Sequence, residues 1–200
     1  MSRKTATVAR EQIPEMVAEF ARVLGDDERA TKFERRWGPL DNANRGTKAV
    51  RDRSADLRNV VAYYGSLQFV AGGNPRGLKD LRSAKGGPGS SATKAVAVKW
   101  AQERIVSMLS PVPNGIAASV DRPARFVLAA QPSSLLQQIH AAVAGWMVRG
   151  EPLAICSNPK HHGELFFKTD KRMRFCSRRC RIEGQYQEAK EALAKARRSK

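Results

Sequence analysis

The spacing of apolar residues along the chain predicts a mainly α-helical protein. Over residues 10–25 the apolar side chains recur at the three- and four-residue intervals of one helix face, and Pro14 falls in the first turn, where a helix tolerates proline. The same reasoning predicts further helices over residues 26–37, 47–64, 93–109 and 135–148. Short apolar runs at residues 125–130, 165–167 and 173–175 are typical of strands.

Two glycine-rich segments interrupt this helical pattern. Residues 72–77 and 86–91 combine glycine with proline, asparagine or serine, which predicts loops on either side of a short amphipathic piece. The second segment lacks the Gly-Lys-Ser/Thr ending of a phosphate-binding P-loop, so we exclude that motif. His140 lies on the apolar stripe of a predicted helix, and we expect it to be a packed core residue rather than a ligand.

The net charge of the chain indicates the kind of partner that it binds rather than its fold. Its 200 residues include 36 Lys and Arg against 19 Asp and Glu, a formal net charge of +17, while 42% hydrophobic residues suffice for a core. Such an excess favours a polyanionic partner, with nucleic acid ahead of a membrane surface. No apolar run approaches a membrane span, and no secretory apolar stretch follows the first residues, so we expect a cytoplasmic protein.

Cysteine and histidine are concentrated in one short window. All three cysteines and two of the three histidines fall within residues 156–180. An odd number of cysteines without an export signal argues against a disulfide framework and indicates a metal site. The predicted ligands are Cys156, His161, Cys176 and Cys180. His162 remains an alternative to His161, because Gly163 after it would allow a left-handed turn.

The predicted site has the ligand number of a structural zinc. Zinc favours four nitrogen or sulfur ligands in a tetrahedron, and a closed set leaves no open position for catalysis. The strand-like runs at 165–167 and 173–175 predict a β-hairpin with its turn at 168–172, and a helical apolar stripe follows Cys180. Knuckle, hairpin and helix make a treble-clef-like finger. We therefore predict a mostly helical domain at residues 1–150 and, at 151–200, a finger that holds one structural Zn²⁺ and ends in a basic helix.

Four segments of the C-terminal third carry a resemblance to a family. They are residues 133–150, Pro152-Leu-Ala-Ile-Cys156, Leu165-Phe-Phe167 and Arg174-Phe-Cys-Ser-Arg-Arg-Cys180-Arg181. Together they resemble the CGNR zinc-finger (ABATE-type) bacterial proteins, in which a helix leads into a small zinc finger and an aromatic-Cys-Ser element begins the second ligand pair. The resemblance implies a transcription regulator. In this chain a histidine replaces the second cysteine, and the literal Cys-Gly-Asn-Arg is absent.

Basic residues are dense around the second ligand pair. Residues 168–181 contain seven Lys and Arg against one acid, Asp170. Arginines at the start of a helix share the site with backbone donors and the helix dipole, which also attract a phosphate. The predicted nucleic-acid contacts are Lys171, Arg172, Arg174, Arg178, Arg179 and Arg181. The sequence thus predicts a zinc-finger protein that binds nucleic acid, duplex DNA before RNA, as a transcription regulator.

Two other interpretations stay open at this point. The basic cluster is also typical of a solvated surface, in which case the finger is a structural staple and the helical domain binds a protein partner, a small ligand or a second copy of the chain. The aromatics that would build such a core or pocket are Trp37, Tyr63, Tyr64, Phe69 and Trp100. No carboxylate cluster, Ser/His/Asp arrangement or cofactor loop stands out, so we expect no enzyme.

Overall fold

The chain is mainly helical, with two small antiparallel sheets. The computed structural model describes residues 10–23, 26–41, 46–109, 116–118, 126–128, 134–158, 164–169 and 173–198. After a 3₁₀ turn at Arg10–Gln12, the helices are α1 (Ile13–Ala21), α2 (Asp27–Trp37), α3 (Gly46–Ala71), α4 (Pro75–Ser83), α5 (Lys94–Leu109), α6 (Leu135–Val148) and α7 (Arg178–Arg198). The strands are β1 (Ile116–Ala118), β2 (Phe126–Leu128), β3 (Leu153–Ile155) and β4 (Leu165–Phe167).

Local signals in the sequence set the starts of several helices. Asp26 caps α2 by accepting hydrogen bonds from the backbone N–H groups of Glu28 and Arg29 at 3.0 and 3.1 Å. Ser134 caps α6 through the N–H of Gln137 at 3.2 Å. Each cap satisfies backbone donors that the first turn of a helix leaves unpaired. The bounds of α6 therefore match the predicted helix at both ends.

The long helix α3 lies at the centre of the core. α1, α2, α4 and α5 pack against it, and its buried face includes Leu57, Tyr64 and Leu67. The prediction ended this helix at residue 64, but the buried positions continue and the helix ends at Ala71, before two glycines. The Tyr64 hydroxyl donates to the carbonyl of Met147 at 3.2 Å, which joins α3 to the end of α6.

His140 is a core residue, as predicted. It is 1% exposed on α6, and its Nδ1 is buried without a hydrogen-bond partner among the described residues. Burial, reinforced by the positive charge of Arg53 and opposed by Asp41, lowers the pKa of His140 to about 4. The imidazole is therefore neutral at physiological pH.

The glycine-rich segment at 72–77 is only partly a loop. Its second half begins α4, because Asn74 caps the helix and Pro75 takes the first helical position. Gly77 is buried inside this helix, where an added Cβ would overlap the backbone of Ser66 and lie 2.7 Å from the Cβ of Phe69. Glycine here serves close packing of α4 on α3. Residues 86–91 lie in the connection between α4 and α5.

The strand pairing differs from the predicted hairpin. Residues 165–167 form β4, but 173–175 form no strand, and β4 pairs with β3 so that Leu153 lies opposite Phe167. Leu153 and Leu165 are buried in the helical core, with α3 packed against β3. If β4 paired with 173–175 instead, β3 would lie against α3 without a strand partner. Burial in the core therefore favours β3 as the partner of β4. A second pair joins β2, which the sequence predicted, to β1, which it missed.

The last helix is the most exposed element of the described chain. Its apolar stripe, predicted from spacing, leaves Ile182, Tyr186 and Leu193 58%, 66% and 64% exposed. Across the described residues, no helix has both the length and the apolar composition that crossing a bilayer requires.

Candidate metal centre

Three cysteines from separate segments meet at one point. Cys156 follows β3 directly, Cys176 precedes α7 by two residues, and Cys180 lies in the first turn of α7. Their sulfur atoms lie within 4.8 Å of one another, and the Sγ atoms of Cys176 and Cys180 are 3.3 Å apart. These three cysteines form no disulfide, and Cys156 and Cys180 are buried. This cluster could hold a metal ion.

Backbone hydrogen bonds bring the two ends of the cluster together. The Ser157 N–H donates to the carbonyl of Arg174 at 2.8 Å, which ties the segment after β3 to the segment that enters α7. Ser177 then caps α7, since its Oγ accepts from the backbone N–H of Cys180 at 3.2 Å. Cys180 is thereby turned back toward Cys156 at the start of the helix.

The apolar support of the cluster is small. Phe175 packs with Cys156 and Cys180, and Phe166 lies against them partly buried. A Cβ added to Gly184 on α7 would overlap the Phe175 ring, so this glycine lets the ring lie flat on the helix. So few buried groups stabilise a short segment only weakly.

The surroundings of Cys176 and Cys180 shift the pKa values of the two thiols in opposite directions. Burial, together with thiol hydrogen bonds and the charge of Glu164, raises the pKa of Cys176. Burial also opposes ionisation of Cys180, but hydrogen bonds from Ser177, Cys176, Cys156 and Asn158 outweigh it and lower the pKa of this thiol. The first thiolate of the cluster is therefore held by donors already in place, and thiolates are the form that binds a metal.

Two polar residues that the sequence did not single out surround the sulfurs. Asn158, 1% exposed, hydrogen-bonds the Cys180 thiol and donates from Nδ2 to Glu183 at 3.0 Å. Glu164 lies 3.5 Å from the Cys176 sulfur and forms an ion pair with Arg22 of the helical core at 2.8 Å. Neither residue belongs to the predicted ligand set, and only the fold shows that both contact the sulfurs. Such partners orient metal ligands.

The predicted fourth ligand lies outside the described residues. Both His161 and its alternative His162 fall between residues 158 and 164, in the part of the sequence between β3 and β4 that the structure does not describe. Lys171 and Arg172, predicted to contact nucleic acid, also lie outside the described residues. The other three predicted ligands are brought together.

Three of the predicted arginines surround one hollow at the start of α7. Arg174, Arg178 and Arg181 line it, together with Met173, Phe175, Ser177 and Gln185, around a volume of about 470 Å³. Arg178 and Arg181 are exposed, whereas Arg174 forms an ion pair with Glu188. Arg179 does not line the hollow and pairs with Glu183 at 3.0 Å.

The aromatic residues of the helical region divide between core and surface. Tyr64 is fully buried, and Tyr63 meets Trp100 edge-on with ring centroids 5.1 Å apart. The Trp37 indole donates to Glu19 at 2.8 Å. Phe69 lines a large cavity beside Lys168, and Tyr63 lines a smaller cavity next to it.

Comparison with known proteins gives no family for this chain. No family model matches it, and neither curated proteins nor solved structures yield a significant match. The resemblance to the CGNR zinc-finger proteins therefore rests on the four quoted segments. Function follows from the geometry of the cysteine cluster and the residues around it.

Proposed function

We propose that this chain is a zinc-finger protein that binds nucleic acid, with duplex DNA preferred, and that acts as a transcription regulator. The observation that carries the proposal is the position of the Arg174, Arg178 and Arg181 hollow directly beside the three-cysteine cluster. Anything that fixes the cluster also fixes these arginines, because Cys176 and Cys180 alternate with them along the chain.

The metal in this proposal is one structural Zn²⁺. Three thiolates and an imidazole are a common closed zinc set, and here Cys156, Cys176 and Cys180 supply the sulfurs while His161, or His162, completes the site. Both histidines follow Cys156 in the sequence within six residues, outside the described part of the chain. A knuckle after β3 and two ligands at the start of α7 give a treble-clef-like arrangement.

The nucleic acid would be held mainly through its phosphates. Arg178 and Arg181 are exposed at the N-terminus of α7, where the backbone donors and the helix dipole add to their charge. With Lys171, Arg172, Arg174 and Arg179, six cations are available in this region. Neutralising about six phosphates predicts that log K falls against log salt with a slope of about −5.

The test is a fluorescence titration of labelled duplex DNA with the zinc-loaded full chain at several salt concentrations. Replacing Arg178 and Arg181 together by alanine is expected to lower affinity for every sequence and to reduce the slope by about 2. The matched control is Lys79→Ala with Lys99→Ala, which removes the same charge from exposed positions on α4 and α5. Equal losses in the two double variants, or binding that ignores salt, would refute the proposal. Elemental analysis must also find about one zinc per chain.

A further inference from the structure

A groove lies between α3 and the β3–β4 pair, and of the described residues that the proposed function uses, Arg174 lines it. It comprises two adjoining cavities of about 310 and 800 Å³. Gly65 and Phe69 of α3 line both cavities on one side, and the segments that follow β4 line both on the other. The larger cavity falls within the size range of small-molecule sites.

Three cations from three different elements converge on this groove. Both cavities are lined by Arg76 from the first turn of α4, Lys168 directly after β4, and Arg174 from the segment before Cys176. These positions lie far apart in the sequence, so the fold rather than a basic run assembles them. Like charges brought this close repel one another, and an anionic ligand bound between them would offset that repulsion.

The cations are incompletely neutralised by their neighbours. The Lys168 ammonium lies 4.6 Å from the centre of the Phe69 ring, and burial together with the charge of Arg76 lowers its pKa. Arg76 reaches Asp80 only at 3.7 Å. Arg174 pairs with Glu188 through one Nη, which leaves its Nε buried without a hydrogen-bond partner among the described residues.

The remaining walls of the larger cavity combine small or apolar residues with the polar side chains of Gln68, Asn74 and Thr169. Ala71, Gly72, Gly150 and Pro152 line it with little side-chain bulk. A ligand with several anionic oxygens would meet the cations, and a compact organic body would rest against Phe69 and Pro152. A phosphate group fits the cations best, because it offers acceptors to Arg and Lys donors at once.

We propose that this groove binds a small phosphorylated organic molecule, up to the size of a mononucleotide, through Arg76, Lys168 and Arg174. The site shares Arg174 with the proposed DNA-binding surface but is otherwise distinct from it, because Arg76 and Lys168 line the groove beside α3 whereas Arg178 and Arg181 line the other hollow. Occupancy would join the finger to the helical core, since Arg76 lies on one side and Lys168 and Arg174 on the other.

The test is isothermal titration of the zinc-loaded full chain with adenosine monophosphate, with adenosine as the uncharged probe. Adenosine monophosphate is expected to bind, adenosine is not, and Lys168→Met is expected to weaken binding about 10-fold or more. Methionine keeps a long apolar stem over Phe69. Lys79→Met is the matched control on the exposed face of α4, and it should leave affinity unchanged.

Three results would overturn the proposal. These are no binding of adenosine monophosphate, equal binding of adenosine, and equal weakening by Lys168→Met and Lys79→Met. A fourth variant separates the site from DNA binding, since Arg178→Ala with Arg181→Ala should leave adenosine monophosphate affinity intact. If single-stranded oligonucleotide bound through Lys168 while the mononucleotide did not, the groove would be a nucleic-acid channel and the small-ligand proposal would be wrong.

Discussion

The helical core and the cysteine cluster are stabilised by different means, although they share one chain. The core buries a continuous set of large side chains around α3, with Phe20, Phe33 and Tyr64 fully buried. The cluster around Phe175 buries three residues, of which two are cysteines. Hydrophobic burial therefore holds the first region, whereas the second buries too little to be held in that way, and under our proposal bonds to a metal supply the difference.

The helical core and the cysteine cluster are not two consecutive segments of the sequence. β3 and β4 belong to the helical core by burial of Leu153 and Leu165, while Cys156, one residue beyond β3, belongs to the cluster. The regions are thus interleaved within residues 153–167. A substitution can affect one region and spare the other even when the two positions are neighbours.

The largest effect is expected from Cys176→Ala. Structural zinc sites in finger peptides contribute on the order of 10–16 kcal/mol, so loss of a ligand should unfold α7 and the segment before it while α1–α6 and the β3–β4 pair persist. Limited proteolysis with trypsin would detect this as rapid cleavage within residues 173–198. Ser157→Ala is the control, because it changes an exposed side chain beside Cys156 and keeps the backbone hydrogen bond. Unchanged resistance in Cys176→Ala would contradict a metal-held finger.

Gly77→Ala is expected to destabilise the helical core rather than the cysteine cluster. The added methyl group would overlap the α3 backbone, which cannot move aside, so unfolding free energy should fall by more than about 3 kcal/mol. Chemical denaturation measures it. Gly145→Ala is the control within α6, where the nearest atom is the flexible end of Arg149 at 3.4 Å, and helix propensity predicts a gain of up to about 1 kcal/mol. Equal stability of the two variants would show that α4 does not pack this closely on α3.

A pH-dependent effect is expected from His140→Leu in the core. The folded-state pKa of about 4 lies below the ordinary 6.5, so folding favours the neutral form. Stability from this site is complete above pH 6.5 and declines by about 3 kcal/mol as the pH falls to 4. Denaturation curves at several pH values should show that decline in the native chain and a smaller one in the leucine variant. Parallel pH profiles would place the imidazole in a solvated site.

The smallest effect is expected at the ion pair between the two regions. Arg22 and Glu164 are 47% and 26% exposed, so their coupling should be below about 1 kcal/mol. A double-mutant cycle with Arg22→Ala and Glu164→Gln measures this coupling. The Glu28–Lys32 pair within α2 gives the reference value for an exposed pair. A coupling well above the reference would mean that the regions are joined electrostatically as well as by strand burial.

Most helices could be predicted because their signals are local. The apolar stripe and serine cap of α6 lie within the helix and at its edge, and they fix both bounds. The meeting of the three cysteines was also predictable, since few uses other than a shared site explain cysteines at that spacing. These features need no knowledge of distant contacts.

The errors all concern contacts made across the fold. β4 had two candidate partners of similar apolar character, and only burial against α3 distinguishes 153–155 from 173–175. Gly77 has the composition of a loop but the environment of a helix crossing. The convergence of Arg76 with Lys168 could not be predicted either, because no local sequence pattern around one residue indicates contact with the other.

The form of α7 gives the cysteine cluster a mechanical consequence. At a rise of 1.5 Å per residue, its 21 residues extend about 30 Å. Cys180 lies in the first turn, and contacts with residues around the cluster reach Gly184 and Glu188 further along. Most of the helix therefore projects beyond the cysteine cluster, and a tilt at its first turn moves the whole of it. A tilt of the helix axis by about 10° at the first turn would displace the far end by about 5 Å. Small adjustments among three sulfur atoms would thus be magnified into movements as large as a side chain.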